Sequence, residues 1–229
     1  MRRYRGRRHP RHVPLWRFVT PASLRWALRH RAYTPYHLVR FWRFLLLRLR
    51  HPDVVTEGMV FLGKGVDLSV RPGYGRIVLG AWCHLGDQTR LRAHEGTLRI
   101  GEKTVLGRDV TVNCYLDIAI GARCLLADSA YLCDFDHRTD DLATAIKDQG
   151  IVKSPVWIGD DVWAGVRVTV LRGARVGDGC VLGAHTVVRG PDAFPAYSVI
   201  AGVPGRVVRD RRGEQQPRSL RTRRARPGR

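Results

Sequence analysis

The sequence predicts an all-β fold, a solenoid of three-sided coils, and three observations predict it. Aliphatic residues return every six positions, glycine often follows them, and a small or β-branched residue tends to fill the fifth position. The step is plain in Ile158, Val170, Val176, Leu182 and Val188, with Ala164 in the remaining slot, and again in Ile100, Leu106, Val112 and Ile118. It restarts two residues later as Ile120, Leu126 and Leu132, a slip that implies a local bulge or loop. An amphipathic helix repeats about every 3.6 residues and an ordinary strand about every 2, so a period of six points to neither.

Each slot has a physical reason. Six residues make one short strand and one tight turn, and three such units, about eighteen residues, close one coil whose inward positions stack on the coils above and below. The aliphatic residue fills the core. The fifth residue must be small where three walls converge, and glycine is expected to supply backbone angles that a β-carbon would block. Cys83, Cys124 and Cys180 fall in that fifth slot and read as small core residues rather than redox groups. Successive coils pair through parallel main-chain hydrogen bonds about 4.8 Å apart. Two stretches interrupt the step. RPGYGR (71–76) reads as a turn between early coils, and the polar run from His137 to about Pro155 is expected to leave the prism as a protruding loop.

Charge divides the chain. Its formal net charge is +20, yet residues 1–52 hold 14 Lys or Arg and no acid, residues 53–205 hold 16 basic and 18 acidic side chains, and 206–229 hold ten Arg against Asp210 and Glu214. The excess positive charge therefore sits in two terminal arms around a near-neutral body. The expected organisation is a basic helical arm (1–52), a solenoid domain (53–209) carrying the loop 137–155, and a disordered basic tail (210–229). Five cysteines, odd in number and never spaced as CxxC, argue against a disulfide framework or a structural zinc site and fit a reducing compartment. No apolar run has the length of a bilayer span or the form of a signal peptide, so the expectation is a cytoplasmic protein.

Residues 35–50, PYHLVRFWRFLLLRLR, carry apolar side chains at helical spacing with His37, Arg40, Arg43, Arg48 and Arg50 within half the circumference, and 21–31 offer a shorter helix. Two readings stay open. Such a helix lies in the headgroup layer of an anionic membrane, peripheral at its inner face, or it packs its apolar face on the prism or on another subunit. The C-terminal arginines suggest nucleic acid as a rival partner, but no aromatic stacking platform or recognised motif accompanies them, so nucleic acid is disfavoured.

The body concentrates acids at one place: CDFDHRTDD (133–141) rings His137 with Asp134, Asp136, Asp140 and Asp141. A neutral imidazole accepts a hydroxyl proton near physiological pH, and a neighbouring carboxylate can fix its tautomer and stabilise the imidazolium.

Residues 57–209, most densely in DFDHRTDD, IKDQGIVKSPVWIGDDVWAG, LGAHTVV and AGVPGRVVR, resemble the hexapeptide-repeat acyltransferases, a family that includes the galactoside, maltose and capsular-sugar O-acetyltransferases. The resemblance implies a left-handed β-helix, against the usual right-handed rule for parallel crossovers. It also implies a homotrimer with active sites in the clefts between prisms. It implies that His137 is the general base and that Asn113 lines the acceptor pocket; Asp134 and Asp136, which precede the histidine within the coil, are the acids expected to orient the base or bind acceptor hydroxyls. It implies acetyl-CoA as acyl donor, held by Trp163, Gly165, Ala184, Arg189, Arg206 and Arg209, the arginines suiting phosphate groups. Ala164 departs from the family's bulkier aliphatic residue, and Arg189 stands at or near a Thr-Lys pair. Some prisms of this fold are zinc carbonic anhydrases with three histidine ligands, but His84, His94 and His185 lack that spacing, so no metal is expected. The function implied is transfer of an acyl group, most simply acetyl, to a hydroxyl of a saccharide, polysaccharide or glycolipid. The alternatives are N-acylation of an amino sugar and a noncatalytic prism that docks on membrane or nucleic acid.

Overall fold

The computed structural model describes residues 21–29 and 31–215. Two helices, α1 (Pro21–Arg29) and α2 (Pro35–Arg50), precede a solenoid of seven coils. Its first face stacks Val54–Thr56, Gly75–Leu79, Gly96–Ile100, Asp117–Ile120, Val156–Ile158, Arg175–Val176 and Ala193–Phe194. The second stacks Phe61–Leu62, His84–Leu85, Val105–Leu106, Leu125–Leu126, Trp163–Ala164, Val181–Leu182 and Ser198–Ala201, and the third Asp67–Val70, Arg90–Ala93, Thr111–Cys114, Tyr131–Cys133, Thr169–Val170 and Val187–Val188. Neighbours on each face are parallel and in register, except that Arg206–Asp210 turns back to pair antiparallel with Ser198–Ala201 and closes the edge of the second face.

The inward positions are those the six-residue step names. Leu106, Val112, Leu126, Leu132, Ile158, Val170, Val176, Leu182 and Val188 are all at most 2% exposed and form one continuous core. Each such side chain contributes roughly 2 kcal/mol through burial. The fifth-slot residues are equally buried, and they bond the next coil. The Cys83 thiol donates to the Gly101 carbonyl at 3.0 Å, Cys124 to Gly159 at 3.1 Å and the Thr104 hydroxyl to Gly121 at 2.7 Å.

Two expectations about local geometry need correction. The glycine that follows the aliphatic residue is not there for an unusual backbone angle. The residue with positive φ stands two places further on, at Lys103 (57°) after Gly101 and Arg123 (57°) after Gly121. Glycine is required because coils touch there: a β-carbon on Gly121 would lie 2.4 Å from the Gly159 carbonyl oxygen. Nor is the slip at Ile118 and Ile120 a bulge, since both point inward from one longer strand. The pairing Trp157 with Arg175 gives eighteen residues per coil, but Leu98 with Ile118 gives twenty and Ile77 with Leu98 twenty-one. The early coils are thus larger, and their extra residues fall at the corner between the third and first faces.

Aspartates staple the coils. Asp87, Asp128 and Asp160 accept the N–H groups of Lys64, Arg108 and Ala122 in the preceding coil at 2.7–2.8 Å, which explains much of the acid content of a neutral body. The turn expected at 71–76 is present, with Gly75 donating to the Arg71 carbonyl. The tail departs from expectation at its start: Asp210 ends a strand, Arg211–Gln215 form a short 3-10 helix, and Arg211 donates to the Gly179 carbonyl. Residues 216–229 lie outside the described residues. At the other end, Phe44 and Leu47 of α2 enter the core against the first coil. No helix among the described residues is long and apolar enough to cross a membrane.

Candidate active site

The polar interruption is an antiparallel hairpin, Phe135–His137 paired with Ile151–Lys153, leaving the prism between the fourth and fifth coils at the corner of the third and first faces. His137 ends the first strand of the hairpin and is exposed. Its ring makes no hydrogen bond or ion pair among the described residues, and it meets Phe135 edge-on at 6.4 Å between centroids. Asn113 lies on the third face beside Cys133, its register partner, four residues ahead of His137. Its amide donates to the Tyr131 hydroxyl at 3.3 Å. Asn113, Tyr131 and the hairpin base therefore share one edge of the solenoid.

The acids do not surround the imidazole. Asp134 is fully buried, and its carboxylate accepts the N–H groups of Tyr115, Leu116 and Asp117 at 2.7, 2.7 and 2.8 Å and the Cys114 thiol at 3.5 Å. Buried and accepting four hydrogen bonds, it anchors the enlarged corner instead of meeting an acceptor or the base. Asp136 accepts from Arg172 Nε at 2.5 Å, tying the hairpin to the fifth coil. Asp140 pairs with Arg138 at 3.8 Å, and Asp141 folds the hairpin tip by accepting from Ala143 N–H and the Thr144 hydroxyl, which hold its carboxyl below the usual range.

The extra corner residues build a stack that the sequence reading did not foresee. His94 lies flat on Tyr115 (4.5 Å, 19°), Tyr115 meets Phe135 at 4.5 Å, and Lys153 Nζ stands 5.6 Å over the Tyr115 ring. Lys153 also bonds Glu95, whose carboxyl it holds below the usual range. The aromatic run HE–YL–F at successive coil corners was its only trace in the sequence. Cys133 lies beside Tyr131, and burial pushes its thiol up, so it is no ready nucleophile.

The expected donor residues fall elsewhere. Trp163, 52% exposed, points out from the second face in a row that continues through Val181 and Val199 to Arg209. Gly165 lies flat on the next coil, where a β-carbon would come within 2.8 Å of Ala184 N. Ala184 is exposed at the following corner. Arg206 joins the same end of the face, 3.7 Å from Asp192. Arg189 does not join this group: it follows the third-face strand Val187–Val188 and lies at the hairpin's corner. His84, His94 and His185 stand at three separate places, and no group of three or more potential metal ligands occurs among the described residues. Trp157, 48% exposed, lies on the first face between Ala119 and Arg175.

Residues 155–190 match the bacterial transferase hexapeptide family of six repeats. A probable acetyltransferase of Mycobacterium tuberculosis is 55% identical over 212 residues, covering 92% of this chain and 69% of that protein. The chain belongs to the hexapeptide-repeat acyltransferase family. A second relative, the galactoside O-acetyltransferase of Escherichia coli, is 29% identical over 119 residues, 52% of this acyltransferase and 56% of the relative. An N-acyltransferase of Bacillus cereus shares the fold, with a TM-score of 0.58 and 15% identity over 73% of this chain and 88% of the other. With that family comes the left-handed sense of the coil.

In this hexapeptide-repeat acyltransferase the exposed imidazole and the exposed indole lie on different sides of one prism, separated by the third face.

Proposed function

We propose that the protein is an acetyl-CoA-dependent O-acetyltransferase acting on a hydroxyl of a saccharide, polysaccharide or glycolipid. It works as a homotrimer, with residues 1–52 in contact with an anionic membrane. The observation that carries the reading is the state of His137: an imidazole on a strand fixed by its hairpin partner and by Asp136–Arg172, open to solvent and with neither ring nitrogen hydrogen-bonded among the described residues.

The residues fit a coenzyme A thioester, because Ala184 is small and exposed at its corner, on the same side as the exposed indole of Trp163 and the exposed guanidinium groups of Arg206 and Arg209. Trp163, Gly165, Ala184, Arg206 and Arg209 of one subunit would hold it, and Arg189 would reach it from the hairpin side of the neighbour. When bound, it supplies an activated acyl carbon with a thiolate leaving group. His137 takes the proton from the acceptor hydroxyl as that oxygen becomes nucleophilic, then returns it to the departing sulfur. The Asn113 amide orients the acceptor, its spare capacity left open by the single long bond to Tyr131. Asp136, paired with Arg172, holds the strand that carries the base. Separation of imidazole and indole on one prism supports a cleft made by two subunits.

Incubating the full chain with acetyl-CoA and a panel of saccharides, then looking for acetyl mass additions, tests the reading. Base-labile additions on neutral sugars uphold O-acetylation. Modification of amino sugars alone, or of nothing in the panel while coenzyme A fails to bind, would overturn it.

A further inference from the structure

α2 buries an apolar pair against the first coil and leaves a second, apolar stripe exposed. Its inward stripe is Arg40, Arg43, Phe44 and Leu47, spaced three and four apart: Phe44 and Leu47 are buried, Arg43 donates to the Leu62 carbonyl at 3.3 Å, and the Lys64 N–H, with the charges of both arginines, helps hold the Asp87 carboxyl below its usual range. Its outward stripe has the same spacing and is wholly apolar: Leu38, Trp42, Leu45 and Leu49. Leu38, Trp42 and Leu49 are 55, 60 and 79% exposed, with Val39 and Phe41 exposed alongside and Leu24 and Leu28 of α1 exposed nearby in sequence. A leucine and tryptophan face turned to water while the same helix sends arginines toward the protein is a binding surface.

Charge identifies the occupant. Residues 1–52 hold fourteen arginines and no acid, and Arg25, Arg29, Arg31 and Arg50 of the same arm are exposed. Three copies of such a segment repel one another at a shared axis, whereas the headgroups of an anionic bilayer attract it and its acyl layer accepts leucine and indole. We infer that the outward stripe of α2, Leu38, Trp42, Leu45 and Leu49, docks the enzyme on an anionic bilayer. This rests on the membrane contact proposed above and deepens it, because the surface is a particular face of one helix and not the charge of the arm at large. The helix caps the first coil, and the His137 hairpin leaves after the fourth, three steps or about 14 Å further along the solenoid.

Co-sedimentation of the full chain with vesicles of phosphatidylcholine, with and without about a third phosphatidylglycerol, tests the inference against the variant Leu38→Gln/Trp42→Gln/Leu49→Gln. The natural chain is expected to bind the anionic vesicles at least about tenfold more tightly than the neutral ones. The variant should lose at least about tenfold on anionic vesicles while its melting temperature and oligomeric mass stay the same. Equal binding by both proteins would overturn the stripe and leave arm charge as the membrane contact. No binding by the natural chain would overturn both. A variant of altered oligomeric mass would show that a second copy covers the stripe, which also overturns the inference.

Discussion

Asp134 accepts the backbone N–H of Leu116 at 2.7 Å from a fully buried carboxylate, one of three such bonds to consecutive residues of the preceding coil. The corner that this carboxylate fixes carries Tyr115, and the strand that follows it carries His137. Removing the acceptor leaves three N–H groups without a partner in a dry site. Asp134→Ala is therefore expected to lose about 3–5 kcal/mol of stability in urea titration, and Asp134→Asn about half as much. An alanine variant of natural stability would show that the corner holds without its anchor.

Arg172 and Asp136 form an exposed bridge, worth under about 1 kcal/mol to folding. Its value lies in steadying the strand that ends at His137. Arg172→Ala should keep its melting temperature and lower kcat about three- to tenfold with KM for acetyl-CoA unchanged, and Arg172→Lys should restore part of the loss. An unchanged kcat would remove the bridge from the site.

Gly121 and Gly73 separate two uses of glycine. A β-carbon on Gly121 would lie 2.4 Å from the next coil's carbonyl oxygen, whereas one on Gly73, at φ 78°, would have nothing within 4 Å. Gly121→Ala is expected to cost about 2 kcal/mol or more and Gly73→Ala about 1 kcal/mol, read from denaturant midpoints. The reverse order would contradict the stacking explanation of the repeat.

Burial pushes the Cys83 thiol up to about 12 from an ordinary value of 9.0. The unfolded chain thus releases this proton before the folded one does, so the contribution is intact below about pH 9 and falls as pH rises toward 12. Melting temperature should drop faster between pH 9 and about 11 in the natural protein than in Cys83→Ala, and native protein should resist alkylation at neutral pH. Parallel melting curves for the two proteins would refute the assignment.

The solenoid was legible because its core residues obey one fixed step, so Leu106, Val170 and Leu182 could be placed inward from spacing alone. The resemblance pointed to both Trp163 and Arg209, but their common row was not legible, because a hairpin after Ala201 brings Arg209 back across the face. Asp134 looked like part of an acid ring around the histidine. Its true partners lie 17 to 19 residues upstream, and three main-chain N–H groups leave no mark in the sequence. The bond from Arg172 to Asp136 spans 36 residues and was equally hidden. The facing of α2 was ambiguous for another reason: 38-42-45-49 and 40-43-44-47 are both regular helical stripes, and only the open end of the first coil decides which is buried.

We propose that His137 of one subunit works opposite Trp163 of its neighbour. Mixing His137→Ala and Trp163→Ala subunits, after unfolding and refolding together, tests it most directly. Each variant alone should fold and retain at most about one hundredth of the natural acetyl transfer, and the mixture should recover up to about a quarter, the fraction of clefts that pair two intact halves. Natural turnover by His137→Ala alone, or a mixture no more active than its parts, would contradict the account.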